Sequence, residues 1–389
     1  MTHQLSFFTN NTVPLKINAA NGSKIFLSSR DSAIYLSNIT LETNGTSITL
    51  DKLLSRVDDN GFTIGWPVNS DLTISTTNTV NITKSLHGEL FIITPTMAQD
   101  PNFFVCVVQG NYTIKRTTND NTTIVFLAVY NQKTDGIPVY AGFKHVRIEN
   151  IVQPMNTSLL IYRDVPDDYY GDVTSSHTLQ RNIFSNPLIY SLADQSQISF
   201  FEHIDPLQFS ENLWLKGIGG FQLDVNEYYV DTTTIQAGAV TVTGMSNSQL
   251  FTYESSVNFI AGSNGMGSCG YVIATELYSN SNLTIQLNGT PSLKSVFVTN
   301  GSIALFGDLH EENWPAVSMQ IFPGTVIIGQ YYIQYFNVDN GPETSQSIST
   351  TAQTIVSTLA VQTTSNPCAT PFVVVPLIIT FLYILLNSE

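Results

Sequence analysis

The sequence predicts an all-β protein made of antiparallel β-sandwich units in tandem, followed by a stalk and a hydrophobic tail. Apolar residues alternate with Ser, Thr or Asn, as at Leu72 and Ile74 and again at Val240 and Val242. Such alternation is typical of strands with one buried and one hydrated face. Asn-Gly steps recur along the chain and favour tight hairpin turns. Only residues 51–58 and 188–195 are candidates for short helices.

Two Asn-Gly steps have flanking sequences that predict complete hairpins. Asn44-Gly45 separates apolar positions 39 and 41 from positions 48 and 50. Asn300-Gly301 separates positions 296 and 298 from positions 303 and 305. Because Asn and Gly both tolerate positive φ, each step is expected to connect two paired strands.

Breaks in the strand pattern predict five segments. Trp66-Pro67 ends the first strand pattern, and Asn340-Gly341-Pro342 ends the last one. The predicted segments are a partial first β unit (1–69), a middle β-rich unit (70–205), a C-terminal β unit (206–342), a Ser/Thr-rich stalk (343–366) and a hydrophobic tail (367–389).

The composition restricts the class of protein. Charged residues make up 12% of the chain, about half of the roughly 25% found in soluble domains. The hydrophobic content of 42% is sufficient for a packed core. With 15 basic and 30 acidic residues, the chain lacks the positive charge of a nucleic-acid-binding protein. Its uncharged polar surface differs from the Glu- and Lys-rich surface of a cytosolic helical protein.

The C-terminal tail predicts a membrane anchor. The apolar run Phe372–Leu386 contains no charged residue, and as a helix it would extend about 22 Å, short of the roughly 30 Å hydrocarbon core. The last basic residue is Lys294, so the tail lacks basic flanks. Together with the small residues before it, the tail predicts a glycosylphosphatidylinositol (GPI) signal, with Ser365 or Asn366 as the attachment residue. The alternatives are a short transmembrane or tail anchor and a buried core segment.

The N-terminus shows no secretory signal, because it lacks a basic start and an apolar run. The prediction is that an upstream start is missing and that the protein is at the cell surface or secreted. A tail-anchored protein facing the cytosol is the alternative.

Modification sites are the most numerous candidate sites. The sequence contains eleven N-glycosylation sequons, at Asn10, Asn21, Asn38, Asn44, Asn81, Asn111, Asn121, Asn156, Asn282, Asn288 and Asn300. Cleavage near Ser365 would remove Cys368, leaving Cys106 and Cys269 as a candidate disulfide. The alternative for this pair is two buried free thiols.

No catalytic residue, metal site or cofactor is predicted. The acidic cluster between Arg163 and Asp172 is a possible Ca²⁺ site, but an exposed acidic loop is the simpler interpretation. The cluster from Asp308 to Trp314 combines a His with three carboxylates but has no second ligand group at a known spacing. Trp66, Trp214 and Trp314 could line a sugar-binding surface, although aromatic residues in β proteins more often lie in cores.

Two segments and the overall layout resemble the nematode CUB-like domain proteins. The segment Gly61–Val68 and the segment Phe322–Asp339 are similar to closing strands of such domains. The resemblance implies jelly-roll-type CUB-like sandwiches, with the first one incomplete. It also implies a non-enzymatic surface or secreted glycoprotein acting in innate immune defence or surface interaction. The partner expected is a membrane, with an unknown extracellular ligand. The alternative function is a carbohydrate-binding or carbohydrate-active extracellular protein.

Overall fold

A computed structural model describes the chain in segments separated by gaps. The described residues are 1–5, 14–54, 56–58, 61–76, 86–117, 121–129, 145–168, 170–172, 175, 181–192, 195–209, 211–227, 234–235, 241–247, 255–259, 267–288, 293–308, 317–323 and 329–339. Side chains of residues 189–197 are outside the description, as are those of the strands after residue 227, apart from Val242 and Gln334.

The first part of the chain contains short strands and three short helices. In chain order the elements are β1 (Thr2–Gln4), β2 (Leu15–Ile17), β3 (Ser23–Ser29), α1 (Ala33–Leu36), β4 (Ile39–Thr43), β5 (Thr46–Thr49), α2 (Leu50–Leu54), β6 (Trp66–Val68), β7 (Leu72–Thr76), β8 (Gly88–Ile93), α3 (Pro95–Gln99), β9 (Phe103–Val108), β10 (Tyr112–Arg116), β11 (Asn121–Ala128), β12 (Val146–Val152) and β13 (Ser158–Arg163).

The remainder of the described chain is formed by strands. They are β14 (Asn182–Asn186), β15 (Leu188–Leu192), β16 (Gln195–Ser199), β17 (His203–Ile204), β18 (Leu207–Phe209), β19 (Leu213–Ile218), β20 (Phe221–Asn226), β21 (Thr234–Ile235), β22 (Thr241–Asn247), β23 (Ser255–Phe259), β24 (Gly267–Asn288), β25 (Leu293–Asp308), β26 (Val317–Pro323) and β27 (Gly329–Asp339).

Four sheets and one hairpin organise these strands. Sheet one has the order β2-β7-β4-β5, and sheet two has the order β1-β8-β3-β6. Sheet three has the order β14-β13-β19-β11-β9. Sheet four runs β10-β20-β12-β18-β22-β27-β24-β26-β23-β21, with β17 and β25 beside this path, and β15 pairs with β16 separately. Most pairs are antiparallel, which confirms the predicted all-β class, while β9 and β11 are parallel.

Three hydrophobic clusters place the sheets face to face in numerical order. One cluster joins sheets one and two, through residues such as Leu41 and Leu90. A second joins sheets two and three, through residues such as Phe91 and Trp214. The third lies between sheets three and four and includes Phe126. Sheets two and three therefore have buried residues on both faces.

This layering explains the low charge of the sequence. In β8, all residues from Gly88 to Ile93 are buried, because Leu90 and Ile92 face one core while Phe91 and Ile93 face the other. A strand buried on both faces has no hydrated side for Lys or Glu, and the one charged residue of β8, Glu89, is bonded to other side chains inside the protein. Each large apolar side chain buried in this way contributes about 1.5–3 kcal/mol to the free energy of unfolding.

Local turn chemistry explains the first predicted hairpin. Asn44 and Gly45 have φ values of 45° and 74°, and they connect β4 to β5 with Thr43 opposite Thr46. These positive φ values are those of a two-residue type I′ turn. The hairpin prediction is therefore confirmed, except that Leu50 begins α2 and does not continue the strand.

Two local predictions are wrong. Asn300-Gly301 makes no turn, because both residues lie inside the continuous strand β25, where Gly301 is opposite Leu277 of β24. Residues 188–195 form no helix, because Leu188–Leu192 and Gln195–Ser199 pair as a hairpin. In both places, pairing with a neighbouring strand determined a conformation that short-range sequence pattern did not. Residues 51–58 form a helix only as far as Leu54 among those described.

Strand pairs extend across both predicted boundaries between β units. On either side of residue 69, β4 pairs with β7, and β3 pairs with β8. On either side of residue 205, β11 and β13 both pair with β19, and β12 pairs with β20. The hydrophobic cores consequently combine residues from neighbouring predicted units.

Candidate functional site

The sequon asparagines are the candidate sites that the structure describes best. Asn21, Asn44, Asn111, Asn121 and Asn156 are exposed, and Asn38 is partly buried. All six lie in turns or at strand ends, where an attached glycan would not enter a core. Asn10 and Asn81 lie outside the described residues. Asn282, Asn288 and Asn300 lie in β24 and β25, and their side chains lie outside the description.

Asn38 also has a structural role at the end of α1. Its Nδ2 donates to the carbonyl oxygens of Ile34 at 2.8 Å and Tyr35 at 3.4 Å. These carbonyls belong to the last turn of the helix, and they also accept from the Ser37 hydroxyl and from the backbone N–H of Asn38. An N-linked asparagine keeps only one amide hydrogen, so a glycan at Asn38 would leave at most one of these two bonds.

Asn111 and Asn121 lie on either side of one strand. Asn111 directly precedes β10, and Asn121 is the first residue of β11. On β10, Thr113 and Lys115 are exposed while Ile114 is buried. The Thr113 hydroxyl donates to Asp224 Oδ1 at 2.6 Å, and Asn150 Nδ2 donates to the other oxygen of that carboxylate at 2.7 Å. The outward face of sheet four is thus polar beside these sequons.

The acidic cluster between Arg163 and Asp172 is organised around a cation of the protein itself. Arg181 Nη1 lies 3.1 Å from Asp167 Oδ2, and its Nη2 lies 3.9 Å from Asp164 Oδ2. The same Nη2 donates to the backbone oxygens of Arg163 and Val165. Among the residues that the structure describes, no group of three or more His, Cys, Asp or Glu could hold a metal ion. Arg181 therefore connects and stabilises the acidic loop. The sequence alone did not identify this residue.

A second cation, which is buried, lies beneath the same loop. Lys216 is 5% exposed, and its Nζ donates to the backbone oxygens of Tyr170 at 3.3 Å and Gly171 at 3.1 Å. Burial lowers the pKa of Lys216, while Asp100 and Asp172 act in the opposite direction. Tyr170 donates to Asp100 Oδ2 at 3.1 Å, and burial together with that carboxylate raises the pKa of Tyr170 to about 12.

Buried polar residues join sheets two and three. Asn212 donates to the carboxylate of Glu89, which is 2% exposed, and accepts from the backbone N–H of Ala128 at 2.9 Å. The Ser28 hydroxyl donates to the backbone oxygen of Ala128 at 2.9 Å. Gln4 donates to the other oxygen of Glu89 at 3.1 Å. Sequence analysis missed this network, because a single Glu within an apolar strand carries no local signal of its partner.

The described tryptophans do not form an exposed sugar-binding surface. Trp66 is 8% exposed and Trp214 is 1% exposed. Trp214 stacks on Tyr162 with 4.2 Å between ring centroids, inside the core between sheets two and three. Trp314 and the cluster around it, from residue 309 onward, lie outside the described residues.

Cys106 is a free, buried thiol in β9 and not half of a disulfide. Burial raises its pKa to about 12, so the thiol is protonated at physiological pH. The side chain faces the core between sheets three and four, which explains its low exposure. The free-thiol alternative therefore describes Cys106, whereas the side chain of Cys269 lies outside the described residues.

The predicted anchor lies beyond the described part of the chain. Residues 340–389, with Ser365 and Asn366, fall outside the described residues. Within the residues that are described, no helix is sufficiently long and apolar to cross a membrane.

Comparison with protein families gives one match, to a family described as transmembrane glycoprotein, over residues 20–382. No curated protein matches the sequence.

Comparison with solved structures gives only weak likenesses. A tryptic core variant of Cry1Da from Bacillus thuringiensis is 8% identical, with a TM-score of 0.19, over 31% of this chain and 27% of that one. The protein from Sulfolobus turreted icosahedral virus is 12% identical, with a TM-score of 0.18, over 84% and 79% of the two chains. The cycloalternan-forming enzyme from Listeria monocytogenes is 8% identical, with a TM-score of 0.19, over 85% and 29%. This chain spans about a quarter of the Cry1Da core, and none of these likenesses carries an argument about function.

Proposed function

This chain belongs to the transmembrane glycoprotein family, and on that premise we propose that it is a non-enzymatic, N-glycosylated protein displayed at a cell surface. The observation that carries the proposal is the placement of the sequons: of the six sequon asparagines whose side chains are described, five are exposed. An enzyme that adds glycans acts only on asparagines of the secretory pathway, so occupancy of these residues would establish the topology.

The experiment is a map of glycan occupancy. The protein is isolated from membranes of the source organism, so that its own targeting decides its topology, and is treated with peptide N-glycosidase in heavy-oxygen water. We expect Asn21, Asn44, Asn111, Asn121 and Asn156 to be converted to labelled Asp. Unmodified asparagine at every sequon would overturn the proposal and favour a domain that faces the cytosol.

The proposed anchor is a GPI lipid at Ser365 or Asn366, which the uncharged tail and the absence of basic residues after Lys294 support. Treatment of intact cells with phosphatidylinositol-specific phospholipase C should release the protein. Persistence of the protein in the membrane, together with a C-terminal peptide that ends at Glu389, would instead establish a membrane-spanning tail.

A role in innate immune defence is part of the proposal and rests on the resemblance to nematode CUB-like proteins at Gly61–Val68 and Phe322–Asp339. Deletion of the gene in the source organism, followed by bacterial challenge, tests it. Pathogen load and survival should worsen relative to wild type. An unchanged load in the deletion strain would remove the defence role and leave the surface-glycoprotein assignment intact.

A further inference from the structure

Strand β10 lies at an edge of sheet four among the described strands. It pairs on one side with β20, from Tyr112 opposite Val225 to Arg116 opposite Phe221. The backbone groups on the other side of an edge strand are a template for pairing with another chain. Thr113 and Lys115 project from the exposed face of this edge, while Ile114 is buried beneath it.

Two other described edges are protected. At the β9 edge of sheet three, the backbone N–H of Thr63 donates to the backbone oxygen of Val105 at 2.8 Å. The Thr63 hydroxyl accepts from the backbone N–H of Val107 at 3.1 Å. At the β6 edge of sheet two, Pro67 provides no backbone donor. These two edges are therefore less able to pair with a further strand.

The ends of β10 carry sequons. Asn111 directly precedes the strand, and Asn121 is the first residue of β11, the next strand in the chain; both side chains are exposed. A five-residue strand is only about 17 Å long, so a branched glycan at either end would extend over the edge. We propose that N-glycans at Asn111 and Asn121 block the β10 edge, and that without them two copies of this chain pair through it. This inference rests on the proposed glycoprotein function.

The sequence of β10 is compatible with symmetric pairing. In an antiparallel register centred on Ile114, Thr113 of one copy faces Lys115 of the second copy, and Tyr112 faces Arg116. No like charges are directly opposite, which is the condition for a stable cross-strand pair. A two-fold interface of this kind uses the same surface on both copies.

The same register shows why glycans would prevent pairing. Asn111 of one copy would lie opposite Thr117 of the second copy, which is four residues before its Asn121. Each end of the paired strands would then have to accommodate two glycans. This steric conflict is absent when both asparagines are replaced by glutamine, which cannot accept an N-glycan.

The test measures the molar mass of the full chain, extracted from animal-cell membranes and kept in mild detergent, by sedimentation velocity. The glycosylated protein should be monomeric, whereas N111Q/N121Q should show a doubling of molar mass as its concentration rises. The matched control is N156Q, which removes an exposed sequon in the turn between β12 and β13 and should stay monomeric. Circular dichroism verifies that each variant is folded.

A third variant locates the contact. Adding Thr113→Lys to N111Q/N121Q places Lys opposite Lys115 of the second copy and should restore the monomer. A dimer that survives this substitution, a folded double variant that stays monomeric, or a dimeric glycosylated protein would each overturn the proposal. The proposal would also be overturned if Asn111 and Asn121 carried no glycan in the wild-type protein. In that case, glycans at other sequons would still support the proposed surface-glycoprotein function.

Discussion

Gln334 covers the free edge of β14 with its side-chain amide. Nε2 of Gln334 donates to the backbone oxygen of Ser185 at 2.9 Å, and its Oε1 accepts from the backbone N–H of Ser185 at 3.3 Å. The two residues are 149 positions apart, so β27 of sheet four satisfies both backbone groups at the edge of sheet three. Gln334 is 6% exposed, which keeps water from replacing these bonds.

Replacement of Gln334 by Ala should destabilise the protein by about 1–3 kcal/mol, because a buried donor and acceptor lose their partners. The measurement is the urea midpoint of unfolding. Replacement by Glu is the sharper variant, since a carboxylate accepts from Ser185 N–H but cannot donate to its oxygen. Q334E should be less stable than wild type at neutral pH, and protonation of the new carboxylate at low pH should restore part of the lost stability. An unchanged urea midpoint in both variants would show that the backbone groups of Ser185 have other hydrogen-bond partners.

His145 should make the fold sensitive to mild acid. Burial lowers its pKa from 6.5 to about 4, and the residue is 7% exposed. Since the folded pKa is below the unfolded one, protonation favours the unfolded state. The stabilisation is fully present above pH 6.5 and is lost as pH falls toward 4, to a total on the order of 3 kcal/mol.

His145→Gln should flatten this dependence of stability on pH, measured by urea unfolding between pH 7 and pH 4. A control, Thr117→Ser, changes an exposed residue that has no titratable group and should leave the slope as in wild type. Identical pH slopes for wild type and His145→Gln would contradict the assignment.

Cys106 should resist thiol reagents until the protein unfolds. The thiol is buried and its pKa is raised to about 12, so little thiolate is present. Alkylation followed by peptide mapping should leave Cys106 unmodified in the native protein and modified in urea. Cys106→Ala should cost about 1–2 kcal/mol, because it removes a small buried group. Detection of a Cys106–Cys269 peptide without reduction would contradict the free thiol.

Arg181 should hold the acidic loop. Its side chain is 14% exposed and joins Asp167 to the backbone of Arg163. Arg181→Ala should cost about 1–3 kcal/mol, because charge-assisted bonds to carbonyl oxygens are lost together with the ion pair.

The more specific readout is limited proteolysis. Cleavage between residues 164 and 175 should be faster in Arg181→Ala, whereas exposed Lys115→Ala should cleave at the wild-type rate. Arg181→Lys should not restore the resistance of the loop to cleavage, since an ammonium group cannot reproduce the paired N–H donors of a guanidinium. Full protection by the lysine variant would show that charge alone stabilises the loop.

The candidate site was predictable where its signal is local. Sequons are read from three consecutive residues, and the described ones are accessible because their turns are polar. Residues that depend on distant partners were not predictable. Glu89 meets Asn212 across 123 positions, and Arg181 meets Asp167 only because β13 and β14 pair. The acidic cluster was visible in the sequence, but the cation that balances it was not.

The sequence by itself determined the all-β class, the Asn44-Gly45 hairpin and the accessible sequons, because alternation and turn preference act between near neighbours. Only the tertiary structure decided which strands pair, why Asn300-Gly301 extends through β25, and how four sheets stack into three cores. The physical reason is that alternation of apolar and polar residues specifies the two faces of a strand but does not specify which other strand it pairs with. Non-local burial and backbone hydrogen bonding select that partner.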